Sequence, residues 1–269
     1  MNNLLVRTLA GIVFVLIVIG SILFGEYSML GLTLLVFTLA LYELKLMFRI
    51  RDHGIFFLTT SAGIGSLIFA FLSWTGSLPG LYPLITLGVY LSLLVLYYLF
   101  YQQISLSEIA LLIFGLTWIG GSLLFFLGLG WLEETSEYNP RLFIILLALI
   151  WVNDVAAYLI GSFLGKKQFF PDISPGKTLE GFIAGIVFTI IGGYLVFVIT
   201  DIHSALFWIL SGLIISLGAS FGDLFESKIK REAGVKDSGN IIPGHGGILD
   251  RFDSLFFSVP LFFLIYIIW

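Results

Sequence analysis

The run LAGIVFVLIVI, from Leu9 to Ile19, decides the fold class. Its side chains are all apolar, so it lacks the alternation of a barrel strand that faces lipid on one side and a lumen on the other. With its flanks it covers residues 8–24, long enough to cross a hydrocarbon core of roughly 30 Å as a helix. It follows Arg7 and so imitates a secretory signal, yet it ends in Phe24-Gly25-Glu26 without a small-x-small cleavage pattern and reads as a retained first span. Similar runs recur along all 269 residues, of which 59% are hydrophobic and 11% charged, with a mean hydropathy of +1.07. These values exclude the ordinary soluble classes. The expected fold is all-α, a polytopic integral membrane protein. With no cysteine in the chain, disulfides and thiolate metal sites are excluded, and a catalytic metal needs oxygen or imidazole ligands. The net charge of −4 matters less than where the charges lie.

Apolar runs and their polar interruptions place nine spans near 8–24, 27–47, 55–75, 81–101, 106–131, 142–164, 178–200, 204–227 and 252–268. If the N-terminus is cytoplasmic, basic residues should gather in the N-tail and every second loop. Arg7, then Lys45, Arg49 and Arg51, then Lys166, Lys167 and Lys177, then Lys228, Lys230, Arg231, Lys236 and Arg251 follow that rule, and Arg141 departs from it. The C-terminus is then outside, and the two long polar loops, 165–177 and 228–251, face the cytoplasm. No repeat or linker divides the chain. It reads as a single membrane domain, 1–269, with generic helices over 1–140 and catalytic helices over 141–269.

Ionisable residues inside spans are expensive and mark function by default. Asp154 lies about halfway along the sixth span, and Asp223 about one turn inside the end of the eighth. Helical spacing puts Ser216, Ala219, Ser220, Asp223, Glu226, Ser227 and Lys230 on one face, leaving Leu217, Leu224 and Phe225 for other surfaces. Ala157, Gly161 and Gly165 form a small-residue ridge on span six, expected to pack near span eight. Glu43, beside Lys45 near a helix end, reads as structural, because long side chains there reach the interface.

The stretch SKIKREAGVKDSGNIIPGHGGILDRFDS, Ser227 to Ser254, mixes cations, carboxylates and glycines. Lys228, Lys230, Arg231 and Lys236 supply charge for phosphates, and the glycines of Gly244-His245-Gly246-Gly247 let backbone amides approach an anion. Asp237, Asp250 and Asp253 would repel phosphates if they stood alone, so their presence suggests Mg²⁺ bridging carboxylate and phosphate oxygens. The plainer alternative, a basic loop that fixes topology and touches anionic lipid, accounts for the lysines but not for Pro243 to Asp253. His245 has no partner at metal-ligand spacing. The other loop contains Ser174-Pro175-Gly176-Lys177-Thr178. It is not a nucleotide P-loop, since Pro171 stands where that motif needs glycine. Ser174 as N-cap and Pro175 at the first helical position would start a helix whose amides, with Lys177 and Thr178, form an anion site.

Ser227-x-Ile229-Lys230-Arg231, Lys236-Asp237-x-Gly239 and Pro243-x-His245-Gly246-Gly247-Ile248-x-Asp250-Arg251-Phe252-Asp253 resemble the signature of bacterial phosphatidate cytidylyltransferases. Asp154-x-x-Ala157-Tyr158, Ser174 to Thr178 with Glu180-Gly181, and Gly222-Asp223-x-x-Glu226-Ser227 are also similar to that family. Gly176 departs, standing where many members carry a second lysine. The resemblance covers about 150–254 specifically. It implies that a phosphatidate oxygen attacks the α-phosphorus of CTP, releasing pyrophosphate and forming CDP-diacylglycerol, with a divalent metal required. By matching positions, Asp223 and Asp250 would hold Mg²⁺, with a second cation left open, and Lys230, Arg231, Lys236, Lys177 and His245 would hold phosphates. Asp154, Asp237 and Asp253 would be further members of the site, Asp237 and Asp253 in the catalytic group and Asp154 in contact with substrate. Ser174, Thr178, Glu226, Ser227, Gly246, Gly247 and Arg251 would contact substrate. The expected partners are CTP, phosphatidic acid and membrane lipids, with no nucleic acid and a homodimer as the assembly to test. The expected location is the bacterial cytoplasmic (inner) membrane with the site facing the cytoplasm. Two rivals stand: another CTP-dependent membrane lipid enzyme, such as a polyprenol kinase or an ether-lipid cytidylyltransferase, and an ion-coupled transporter using Asp154 and Asp223.

Overall fold

The computed structural model describes residues 3–101, 105–133, 137–200, 202–242, 244 and 246–269, with side chains described from Arg7 onward. Eight helices among the described residues are long and apolar enough to cross a membrane, and a ninth apolar helix precedes them. The protein is thus an all-α polytopic membrane protein, with one short β-hairpin as its only strand pairing among the described residues. Two compact units make up the chain, residues 1–140 with 237–249, and residues 141–236 with 250–269.

The first unit contains α1 (Asn3–Leu23), α2 (Glu26–Met47), α3 (His53–Trp74), α4 (Tyr82–Phe100), α5 (Leu106–Gly115) and α6 (Gly121–Gly128). A π turn over Leu116–Gly120 joins α5 to α6, so that Leu106–Trp131 forms one span. Helix α2 supplies much of the packing here. Its Phe37, Leu41 and Leu44 are fully buried, and a β-carbon at Gly115 would lie 2.7 Å from Leu44 and 2.8 Å from Leu41. Contacts between α3 and α4 include a polar one, Thr59 to the Tyr90 hydroxyl at 3.0 Å. Small residues and internal hydrogen bonds hold the helices because lipid gives apolar side chains no reason to leave it. Large apolar residues such as Phe57 and Phe100 accordingly stay exposed on the outside.

The second unit consists of α7 (Arg141–Leu164), the hairpin strands β1 (Gln168–Phe170) and β2 (Ser174–Thr178), α8 (Leu179–Thr200), α9 (Ala205–Glu232) and α10 (Leu249–Ile268) from Asp250 on. Its helices cross at glycines. A β-carbon at Gly212 of α9 would lie 2.5 Å from the Thr189 carbonyl of α8. One at Gly218 would lie 2.8 Å from the Ser258 backbone, and one at Gly222 would lie 2.5 Å from the Asp253 carbonyl, both on α10. The ridge on α7 differs from expectation: it packs on α8, where a β-carbon at Gly181 would lie 2.6 Å from the Ala157 carbonyl and 3.1 Å from Gly161. Ridge spacing alone names no partner, and α8 is the chain's next helix.

Three further boundaries differ. Ser174 and Pro175 do not start α8. They lie in β2, which pairs antiparallel with β1 in the register Gln168 to Thr178 and Phe170 to Ser174. Proline disfavours helix in the residue before it and tolerates a short edge strand. The helix is capped instead by Thr178, whose hydroxyl accepts from the Gly181 amide at 3.2 Å. Helix α9 runs on through Lys228, Lys230 and Arg231 to Glu232, so these cations sit on a helix rather than in a loop. It stops at Gly234, whose φ of +72° suits glycine, with the Val235 amide bonding back to the Lys230 carbonyl at 2.9 Å. Finally, α10 starts at Leu249. Asp250 and Asp253 therefore share its first turns.

Candidate active site

In the second unit a cavity of about 420 Å³ opens among α7, the hairpin, α8, α9 and α10. Each element contributes a polar group for a local reason. Helix α7 presents Asp154, accessible from the cavity, while the preceding Asn153 is buried and accepts from Ser216 of α9 at 2.6 Å. The Asn153 amide nitrogen donates to Asp154 at 3.1 Å. One buried side chain thus ties α7 to α9 and holds the carboxylate that faces the cavity. The hairpin brings Lys177, whose ammonium lies 2.7 Å from Asp223 of α9. It is fastened to α8 through Glu180, which accepts from the Lys166 and Lys167 amides at 3.1 and 3.3 Å.

Below this pair lies a more buried charge group. Lys230 sits 2.5 Å from Glu226, one turn back on α9, and 2.6 Å from Asp250 of α10. Glu226 is 1% exposed, and among the described residues Lys230 is the charge that compensates it. Asp253 also lines the cavity, its carboxylate accepting from the Ser254 amide at 2.6 Å. Ser227 donates to Asp223 at 3.3 Å. Facing these groups are Tyr158, Phe169, Phe182 and Leu224. The cavity wall therefore combines four carboxylates and Lys177 with aromatic and apolar side chains.

The structure brings Asp154, Lys177, Thr178, Asp223, Asp250 and Asp253 to the cavity wall, with Lys230, Glu226 and Ser227 bonded to them. Leu224, assigned by helical spacing to another surface, belongs to the wall as well. Ser174 closes the hairpin opposite Phe170. Arg231 donates to the Val235 carbonyl at 3.1 Å, and Lys236 and Arg251 are exposed. In the first unit, Asp237 is exposed, the Gly246 carbonyl accepts from the Ile242 amide at 3.0 Å, and Gly247 packs on Glu43. His245 and Pro243 lie outside the described residues.

Sequence reasoning gave Asn153 no task, although an amide beside a carboxylate inside an apolar helix was a usable signal. The aromatic wall gave none, since cavity-facing and lipid-facing Phe look alike. Glu43 is 1% exposed, not at an interface, and Lys45 turns away to His53 Nδ1 at 3.1 Å. Among the described residues no three His, Asp or Glu side chains stand together as a ready-made metal cluster. The donor chemistry of the cavity nonetheless fits a hard cation, because Mg²⁺ commonly takes one or two protein carboxylates and completes its shell with water and phosphate oxygens.

Comparison with known proteins points the same way. Residues 5–269 match the model of the cytidylyltransferase family. The phosphatidate cytidylyltransferase of Staphylococcus saprophyticus is 34% identical over 259 residues, covering 95% of this chain and 96% of that protein. Those of Staphylococcus aureus strain COL and Staphylococcus epidermidis strain RP62A are 35% and 34% identical over 265 and 261 residues, with the same coverage. A match along nearly the whole length, with relatives at this identity, means that the chain belongs to the cytidylyltransferase family.

Proposed function

We propose that this protein is a CTP:phosphatidate cytidylyltransferase that makes CDP-diacylglycerol and pyrophosphate for phospholipid biosynthesis. The observation that carries the reading is the cavity of the second unit, lined by carboxylates of three helices, Lys177 and an aromatic wall, with Lys230 bonded to the lining Asp250. In the reaction a phosphatidate oxygen forms a bond to the α-phosphorus of CTP, and the bond from that phosphorus to the bridging oxygen of the β-phosphate breaks, so pyrophosphate leaves with the electron pair. A phosphate monoester is already largely ionised near neutral pH, so no protein base is required. Rate enhancement then rests on alignment and charge neutralisation.

Lys177 and Lys230, paired with Asp223 and Asp250, would be the cations for phosphate oxygens. Arg231, Lys236, Arg251 and His245 are further phosphate contacts by their match to the family signature. Asp223 and Asp250 would hold Mg²⁺, with Asp154 and Asp253 close by on the same wall. When bound, the metal would neutralise charge on the triphosphate and on the leaving pyrophosphate. The aromatic side would take the glycerol and first acyl carbons of the lipid.

The distribution of Lys and Arg supports a cytoplasmic N-terminus, an external C-terminus and a site open to the cytoplasm of a bacterial inner membrane. CTP is met on that side.

Incubating purified protein with Mg²⁺, labelled CTP and phosphatidic acid tests the reading. A CDP-lipid and pyrophosphate are expected, and chelation of the metal should abolish both. Formation of CDP with a newly phosphorylated alcohol would identify a kinase, whereas absence of turnover with any lipid phosphate or alcohol would remove both enzymes and favour a transporter.

A further inference from the structure

A serine of α9 gives its proton away from its own helix. Hydroxyls inside helices commonly bond back to the carbonyl four residues earlier, as Thr189 does to Gly185 at 2.7 Å and Ser258 to Ser254 at 2.8 Å. Ser216, fully buried, instead donates across to Asn153 Oδ1 of α7 at 2.6 Å. Asn153 is itself buried, and its Nδ2 donates to Asp154 Oδ1 at 3.1 Å. The amide is fixed this way round because the reverse would set its oxygen, an acceptor only, against the Asp154 carboxylate. Helix α8 closes the third side. A β-carbon at Gly185 would lie 2.6 Å from Asn153 Oδ1, so the amide fills a space that glycine leaves for it. Asn153 and Asp154 line the cavity, whereas Ser216 and Gly185 do not. Of the carboxylates on that wall, Asp223 and Asp250 lie 2.7 and 2.6 Å from a lysine. Asp154 is held by an amide instead, so its direction depends on where that amide is fixed.

We infer that Ser216 is a positioning residue for Asp154: its hydroxyl fixes the Asn153 amide, and the amide aims the carboxylate at substrate in the cavity. The inference rests on the proposed cytidylyltransferase reading for what that substrate is. Without the Ser216 hydroxyl, Asn153 Oδ1 stays buried and loses its donor. The amide is then free to turn, and Asp154 loses its fixed direction. An error of about 1 Å in the placement of a group at a reacting centre costs on the order of 100-fold in rate.

The test compares Ser216→Ala with Ser211→Ala. Ser211 lies on the same helix and is equally buried, and its hydroxyl has no hydrogen-bond partner among the described residues. With CTP and phosphatidate, Ser216→Ala should lower kcat/KM about 10- to 100-fold, whereas Ser211→Ala should stay within about twofold of wild type. In the Asp154→Ala background, Ser216→Ala should cost less than about twofold, because the carboxylate it acts through is gone. Unchanged turnover in Ser216→Ala overturns the inference. So does an equal fall in Ser211→Ala, or an equal factor in the two backgrounds. A second measurement needs no turnover. With the carboxyl carbons of aspartate isotope-labelled for NMR, the Asp154 signal, identified by its loss in Asp154→Ala, should move in Ser216→Ala and stay in place in Ser211→Ala. Ser216 bonds to Asn153 and not to Asp154, so the shift reports transmission through the amide, and an unmoved signal overturns the inference. Where Asp154→Ala has no measurable turnover, that shift decides. If Ser216→Ala does not fold, Gly185→Ala takes its place, since its β-carbon displaces the same amide; the same fall and the same shift are expected, and the absence of either overturns the inference. If wild type makes no CDP-lipid, the enzymatic reading falls, and the positioning of Asp154 by Ser216 stands or falls with the carboxyl shift alone.

Discussion

Lys230 stands between Glu226 at 2.5 Å and Asp250 at 2.6 Å, and all three side chains are largely buried. Removing the cation would leave the buried Glu226 without the charge that compensates it among the described residues, a loss of about 3–5 kcal/mol for a buried pair. Lys230→Met should therefore lower the unfolding temperature of the purified protein and abolish turnover together. Adding Glu226→Gln to Lys230→Met should recover part of the stability and none of the activity, because the uncompensated charge is removed while the proposed phosphate cation is still missing. A strictly additive double-mutant cycle would show that the two residues do not interact. Asp223 behaves differently. Its side chain is 40% exposed, and its partner Lys177 is 26% exposed, so the pair adds little to stability. Asp223→Asn should leave thermal unfolding nearly unchanged and lower Mg²⁺-dependent turnover by at least about 100-fold. Near-normal turnover would remove Asp223 from the metal site. Asp223 stands out in the sequence because a charge inside an apolar run is costly to keep unless it has a task, and Asp250 because it falls among cations and glycines. Glu43 does not stand out, since its partners Ser238, Ile248 and Leu249 are some two hundred residues away and two of them offer only backbone.

At the scale of elements, the candidate site depends on how closely α9 approaches α10. Gly222 is the point of approach, its missing β-carbon leaving room for the Asp253 carbonyl at 2.5 Å. Backbone cannot swing aside as a side chain can. Gly222→Ala should cost about 1–3 kcal/mol, as for an overpacked core, and should reduce turnover because Asp223 and Asp253 flank the crossing. Unfolding and product assays on the same preparation check both effects. By contrast, a β-carbon at Gly176 meets nothing within 4 Å, so Gly176→Ala should change stability by no more than about 0.5 kcal/mol. The helices themselves were readable from hydropathy to within a few residues, apart from the ends that carry function. Lys228 to Glu232 look like loop by composition, yet Glu226 and Lys230 pair one turn apart and Gly234 supplies the stop. Ser174 and Pro175 carry a helix-start pattern, but Thr178 caps α8 and the earlier residues pair as a strand. Local preference named plausible caps, and tertiary pairing chose between them.

For the whole molecule, the number of crossings decides which way the cavity faces. If α1 crosses together with the eight longer spans, the termini lie on opposite sides; if α1 lies along the surface, they lie on the same side. Either way α2 to α10 keep their order, so the hairpin 168–178 and the segment 233–248 share a side, the side opposite to Glu137. The orientation proposed from the distribution of Lys and Arg puts that shared side in the cytoplasm. The chain has no cysteine, so single cysteines report cleanly on sidedness. Lys167→Cys and Lys236→Cys should react with a membrane-impermeant maleimide in inside-out vesicles and not in right-side-out ones, and Glu137→Cys should do the reverse. Thr8→Cys then counts the crossings: labelling on the side opposite to Trp269→Cys means nine, and labelling on the same side means eight. Labelling of Lys167→Cys only in right-side-out vesicles would place the carboxylate cavity on the face away from cellular CTP. Cytidylyl transfer would then be untenable however well the cavity fits its substrates.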